Sequence, residues 1–223
     1  MGLGGAGGYT MNIQTYNENL CLFFQALKQV KKEYAMFWKC DSEGDKRSIE
    51  HSERVFAYEL YRQWENILEK NESKLLLNGE PGKHLGRFYT NQDKKGEGIR
   101  DDKYPDLVLH LGQETNSGNE IVCEIKRSSN NESLEEDLKK LNIFTHGTNA
   151  YELGILLIYG CKSTKERVIS TFDFVKFKNS YSSIYSGFSQ KEKILIVYLE
   201  YDISKGDEST ESIIRYATLD NIK

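Results

Sequence analysis

The chain has 223 residues, 34 of them acidic against 30 Lys and Arg for a formal charge of −4, and is 38% hydrophobic and 29% charged. That length suits one domain with extensions, and the apolar share is enough for a core to which 14 Tyr and 10 Phe contribute. No apolar run approaches the length that spans a bilayer and no basic-then-apolar segment opens the chain, so the expectation is a cytoplasmic protein without a membrane partner.

Residues 1–12 read as a flexible leader or a remnant left by expression, with Met11 as the natural start. The Gly spacing there superficially suggests a dinucleotide loop, but no strand precedes it and that reading fails. From Tyr16 to Trp38 apolar residues recur at helical spacing, through Leu20, Phe23, Phe24, Leu27, Val30, Tyr34, Phe37 and Trp38, which predicts one long amphipathic helix. It makes 13–45 a helical extension ahead of a main domain over 46–223, and its aromatic content suits a homodimer contact. Residues 41–47 form a charged break. Ser48 or Ser52 then caps a second helix that runs to about Lys70.

A strand begins at Leu75–Leu77. Residues 78–103 are polar and irregular, with a short strand around Leu85–Thr90. Strands follow near 105–111 and 120–126, joined by Gly112–Asn119. Ser133–Phe144 reads as a helix and Gly154–Tyr159, a continuous apolar run, as a buried strand. Residues 163–179 have a helical pattern, and Ile194–Glu200 and Ile213–Thr218 are two further strands. There is no internal repeat.

Cysteines at 21, 40, 123 and 161 form no Cys-x-x-Cys pair and the His residues are scattered, which argues for reduced thiols and against a zinc site. Cys123 alternates with Glu124 and so faces the core.

The stretch from Tyr104 to Lys126 carries the chemistry. Asp106 opens one short apolar run, and Glu124 and Lys126 close the next. In a strand those last two point to the same face. Charges inside buried strands are costly unless paired or bound to a metal. A shared site explains them: two carboxylates for a hard divalent cation with an ammonium beside them. On the helix over 48–70, Phe56, Ala57, Leu60, Trp64, Ile67 and Leu68 fall on one stripe when residues are placed at 100° steps. Glu53 lies near the middle of that stripe and Glu59 well outside it. Glu53 is therefore either a third acid of the site or a first-turn acid that favours the helix N-terminus. Lys162, Lys165, Arg167, Lys176 and Lys178 stand against Glu166 and Asp173 and form either a nucleic-acid contact or a solvated helix face.

Pro105-Asp106 followed by Glu124-Ile125-Lys126 resembles the PD-(D/E)xK signature of the restriction-endonuclease-like nuclease superfamily, over about residues 50–160. Within it, the run Glu-Ile-Lys-Arg-Ser-Ser-Asn from Glu124, then Asp137, Lys140-Leu141 and Phe144-Thr145, are similar to a bacterial group. The order helix, strand, strand, strand, helix, strand matches the minimal core of that fold. The resemblance implies an α/β protein with an αβββαβ core, a central mixed sheet flanked by helices, an added N-terminal helix and C-terminal strands. It also implies metal-dependent hydrolysis of DNA phosphodiester bonds. Asp106 and Glu124, with the backbone carbonyl of Ile125, would hold Mg²⁺ or Mn²⁺. Lys126 would orient or help deprotonate the attacking water and neutralise developing charge, and Glu53 would face the metal. Lys139 and Lys140, on the following helix, would contact phosphate or form a surface face. Glu80 reads as a loop charge, and His110 as a packing or capping group at a strand end. A non-catalytic nucleic-acid-binding or protein-interaction module on the same fold is the alternative, as is a structural protein that uses Tyr16–Trp38 as a partner helix.

Overall fold

The computed structural model describes residues 18–35, 37–40, 47–50, 52–79, 105–112, 118–127, 131–146, 150–162, 173–202 and 212–222. In chain order the elements are α1 (Glu18–Gln29), α2 (Lys32–Ala35), β1 (Phe37–Cys40), β2 (Arg47–Glu50), α3 (Glu53–Lys70), β3 (Leu76–Gly79), β4 (Leu107–His110), β5 (Asn119–Arg127), α4 (Asn131–Phe144), β6 (Leu153–Lys162), α5 (Phe174–Tyr185), β7 (Ile194–Asp202) and β8 (Ser212–Thr218). β1 and β2 form an antiparallel pair of their own. The other six strands make one mixed sheet in the order β3-β4-β5-β6-β7-β8. β5, β6 and β7 run parallel in its middle, while β3, β4 and β8 are antiparallel to their neighbours. The protein is thus an α/β fold with helices on both faces of a mixed sheet.

The sequence explains the layering. β6 is buried on both faces from Gly154 through Tyr159, as a central parallel strand requires. One face packs on α1 and α3, where Phe23 meets Trp64 edge-on at 5.1 Å and Phe56 stacks flat over Tyr159 at 4.1 Å. The other face packs on α4 and α5 through Leu134, Leu138, Leu141, Phe177 and Tyr181. Gly154 lets the end of α4 come close: a Cβ there would sit 3.0 Å from Thr145 Cγ2. Cys123 is buried on the α1–α3 side, as its alternation with Glu124 implies.

Two expectations are corrected here, and one alternative is decided. Tyr16–Trp38 is not one helix. α1 ends at Gln29, the short α2 follows, and Phe37 and Trp38 belong to β1. At the break the Tyr201 hydroxyl donates to the Val30 carbonyl at 2.8 Å, a tertiary partner for a carbonyl just past the end of α1. The buried side of α1 (Leu20, Leu22, Phe23, Ala26, Leu27) is packed within its own chain, so a homodimer built on that face would have to uncover it first. Of the helix expected over 163–179, residues 163–172 lie outside the described residues; α5 begins at Phe174, where Asp173 Oδ1 accepts from Val175 N at 2.8 Å and Lys176 N at 3.3 Å, and it runs on past 179 to Tyr185. Ser52, not Ser48, caps α3: its Oγ accepts from Val55 N at 3.3 Å, while Ser48 lies in β2. The strand proposed around Leu85–Thr90 and the residues Glu80 and His84 lie outside the described residues, as do residues 1–17. Among the described residues no helix is long and apolar enough to cross a membrane.

His110 ends β4 and is buried. The Gly112 amide donates to its Nδ1 at 3.0 Å, so the ring proton sits on Nε2 and is directed at Asn78 Oδ1. Burial holds the ring below its ordinary 6.5. The unfolded chain therefore takes up a proton at a higher pH than the folded chain does. Stability is independent of this group well above 6.5 and declines as pH falls through that value towards the folded one. Denaturant unfolding measured from about pH 8 to about pH 5 should show this decline, and His110→Gln should flatten it.

Candidate active site

The sheet brings the two motif segments together because β4 and β5 are antiparallel. The register pairs Leu107 with Cys123, so the start of β4 lies beside the end of β5. Asp106, just before β4, reaches across: its Oδ2 accepts from the Ile125 amide at 2.6 Å. Glu124 and Lys126 both leave β5 towards α4, as a period of two dictates. α3 arrives from the opposite face with its N-terminus at the end of β5, and Glu53 Oε1 accepts from the Arg127 amide at 3.1 Å.

A chain of alternating charges results. Glu53 Oε2 lies 3.5 Å from Lys126 Nζ, which lies 3.5 Å from Asp137 Oδ2. Asp137 Oδ1 is 2.9 Å from Lys140 Nζ, which bonds both oxygens of Glu124 at 3.2 and 3.1 Å. Asp106 stands beside this row. Glu53, Asp106, Glu124 and Asp137 face two ammonium groups, so negative charge is in excess.

That excess shows in the proton affinities. Burial, then Asp137 and Asp106, push the Glu124 carboxyl well above its ordinary 4.5 against the opposing pull of Lys140. Burial also raises Asp106, although the Ile125 amide and the two lysines oppose it. For Lys126, burial works against the charge, yet Asp137, Glu53, Asp106 and Glu124 outweigh it and hold the ammonium above its ordinary value. Burial likewise opposes the Lys140 charge, and Glu124 and Asp137 overcome it. Lys126 is therefore held as a cation by the acids around it, which suits charge neutralisation and water orientation.

Of the expected residues, Asp106, Glu124, Ile125, Lys126 and Glu53 lie around the end of β5, joined through the contacts above. Glu53 does so differently from expectation. It is half-exposed and reaches the site from the first turn of α3, whereas Glu59, placed off the apolar stripe, is buried. The α1–α2 segment explains the reversal by covering that flank of α3. Glu59 is held there by Arg62 at 2.7 and 2.9 Å and by Gln63 at 2.7 Å. Lys140 is corrected too: it lies inside the charge row and not on a surface face. Lys139 does point outward and pairs with Glu135. Lys162 ends β6, while Lys165 and Arg167 lie outside the described residues.

Asp137 is the member that sequence reasoning left out of the site. It is buried, and its Oδ2 makes no hydrogen bond. The wheel that singled out Glu53 would have found it, because Asp137 shares a helical stripe with Leu134, Leu138 and Leu141. A cleft of about 480 Å³ opens beside Glu53 and Asp106, with Arg54, Tyr58, Tyr61 and Asn78 on its walls. Tyr61 is fixed there by donating to the Leu77 carbonyl at 3.1 Å and Glu65 Oε1 at 3.0 Å, while Tyr58 is largely exposed.

Among the described residues no three His, Cys, Asp or Glu side chains converge tightly enough to cage a metal by themselves. A hard divalent cation nonetheless fits the donor set. The carboxylates Asp106 and Glu124 are all-oxygen donors, the local charge is negative, and a buried carboxylate oxygen of Asp137 makes no hydrogen bond, with only the Lys126 ammonium at 3.5 Å. Mg²⁺ needs only one or two carboxylates and keeps its waters for the rest. No family model, no curated protein and no solved structure matches this chain.

Proposed function

We propose that this chain is a metal-dependent nuclease of the restriction-endonuclease-like class that hydrolyses DNA phosphodiester bonds. The observation that carries the reading is that pairing of β4 with β5 sets Asp106 beside the Glu124–Lys126 segment, with Asp106 tied to the Ile125 amide at 2.6 Å. The succession α3, β3, β4, β5, α4, β6, with β5 and β6 parallel, supports the αβββαβ core. Asp106 and Glu124, with the Ile125 carbonyl, would hold Mg²⁺ or Mn²⁺. Bound there, the ion would supply a more acidic water and positive charge at the phosphate. Lys126 holds a fixed positive charge against the phosphate oxygens and orients the water. Glu53 keeps Lys126 in place from α3. Arg54 and the Tyr58 and Tyr61 rings line an approach suited to a sugar-phosphate chain and its bases.

One observation favours a second reading. Lys140 satisfies both Glu124 oxygens, as it would in a nucleic-acid-binding module on the same fold that does no chemistry. A single assay separates the two. Incubated with Mn²⁺ or Mg²⁺ and a mixture of single-stranded, duplex and branched DNA, the full chain should release product that a chelator prevents. Asp106→Asn, which can still accept the Ile125 amide, should remove that activity. Equal cleavage by Asp106→Asn moves the active site elsewhere. Binding without product under every condition establishes the second reading.

A further inference from the structure

The position of Lys140 calls for an explanation that phosphate contact does not give. Its ammonium lies within 3.2 Å of three carboxylate oxygens, two from Glu124 and one from Asp137, on the inner side of α4. A phosphate-binding lysine needs its donors free for the ligand, and these are committed to two acids of its own chain. The same carboxylate is the one that the proposed function assigns to a divalent cation, and an ammonium already on both of its oxygens competes with an ion for them. A buried Glu124 without any cation nearby would be strongly disfavoured. Asp137 adds a second fact. Its Oδ1 already holds Lys140 Nζ at 2.9 Å, and its buried Oδ2 makes no hydrogen bond, with the Lys126 ammonium at 3.5 Å, so Asp137 has hydrogen-bonding capacity left for α4's own lysine.

We infer that Lys140 is a built-in, displaceable counter-ion: it neutralises Glu124 in the metal-free chain and withdraws onto Asp137 when a divalent cation takes the Glu124 oxygens. The inference rests on the metal-site reading above and deepens it. Lys140 is then a positioning residue that sets metal affinity, and Asp137 is its resting place. Two consequences follow from competition for one carboxylate. Removing the lysine charge tightens metal binding, because no bond must be broken first. Removing the Asp137 charge weakens it, because the displaced ammonium has nowhere to go.

The test is binding of Mn²⁺ alone, without DNA, by titration calorimetry and by the rise in thermal midpoint with added Mn²⁺. Lys140→Met removes the charge, and Lys140→Gln removes it while retaining a donor to Glu124, which keeps the test open should the Met variant not fold. Either Lys140 variant should bind Mn²⁺ about tenfold more tightly than wild type and gain a larger thermal shift, and Asp137→Asn about tenfold more weakly. Binding by a Lys140 variant where wild type shows none also supports the inference. Unchanged or weaker Mn²⁺ binding in a folded Lys140 variant overturns it and leaves the metal site standing. Absence of Mn²⁺ binding in wild type and in every folded variant overturns the metal site itself.

Discussion

Lys126→Met should lower the rate of metal-dependent DNA cleavage about a hundred- to a thousandfold, the usual effect of removing one fixed stabiliser of developing charge. The size of the effect follows from where the ammonium is anchored. Glu53 from α3 and Asp137 from α4 each stand 3.5 Å from Nζ, so the charge is held between the two helices that sandwich the end of β5. Lys126→Arg should recover part of the loss, since it restores charge but not the compact shape of an ammonium. Lys126→Gln, which donates without charge, should recover little. Single-turnover rates on matched amounts of folded protein, checked by circular dichroism, make the measurement.

The pH dependence of the same rate gives a second handle on Lys126. Burial opposes its charge, but Asp137, Glu53, Asp106 and Glu124 hold it above its ordinary 10.5. A raised lysine remains charged through neutral and mildly alkaline pH. The stabilisation it provides is fully present below 10.5 and is lost only as pH rises through the folded value. The wild-type rate should therefore show no loss that titrates with Lys126 between about pH 7 and about pH 10. A rate that instead climbs with pH through that range, with the climb absent in Lys126→Met, would identify a lysine that acts as a base, and would reverse its role.

What the sequence could disclose about this molecule follows from the range of each physical signal. Alternation places Glu124, Lys126 and Cys123 on their correct faces, and continuous apolar runs locate β6 and β7, because both signals depend on immediate neighbours. Ser52 is a local signal as well, a side-chain oxygen three residues ahead of the amide it receives. The errors arise where distant residues intervene. Apolar spacing runs unbroken through Val30, Tyr34 and Phe37, and the Val30 carbonyl where the helix breaks finds its partner in a hydroxyl 171 positions away. Glu59 looks solvent-facing until the α1–α2 segment covers it. Lys140 on an isolated helix is a surface charge, and only the β5–α4 packing turns it inward to Glu124. Asp137 was locally legible, since its place on the Leu134–Leu138–Leu141 stripe marks a buried acid, but its two lysine partners were not.

Phe56→Ala should cost about 3–5 kcal/mol of folding stability, a large part of what a domain of this size has. Phe56 is fully buried and lies flat on Tyr159 of β6 at a ring separation of 4.1 Å with planes 3° apart, so truncation loses both the buried surface and the stacking. β6 is the middle of the parallel region and cannot shift to fill the space, held as it is between β5 and β7. Denaturant unfolding followed by circular dichroism measures the loss, and a cost below about 1 kcal/mol would mean that α3 does not dock through this residue. The effect should also reach the site. Phe56 stands one helical turn after Glu53, so the stack on Tyr159 is what aims the first turn of α3 at Lys126 and the Arg127 amide. Phe56→Leu keeps an apolar side chain there but removes the flat ring contact. It should fold, lose less stability than Phe56→Ala, and still reduce cleavage through a loosened Glu53. If Phe56→Leu cleaves at the wild-type rate, the position of Glu53 is set by the Ser52 cap and not by the aromatic stack.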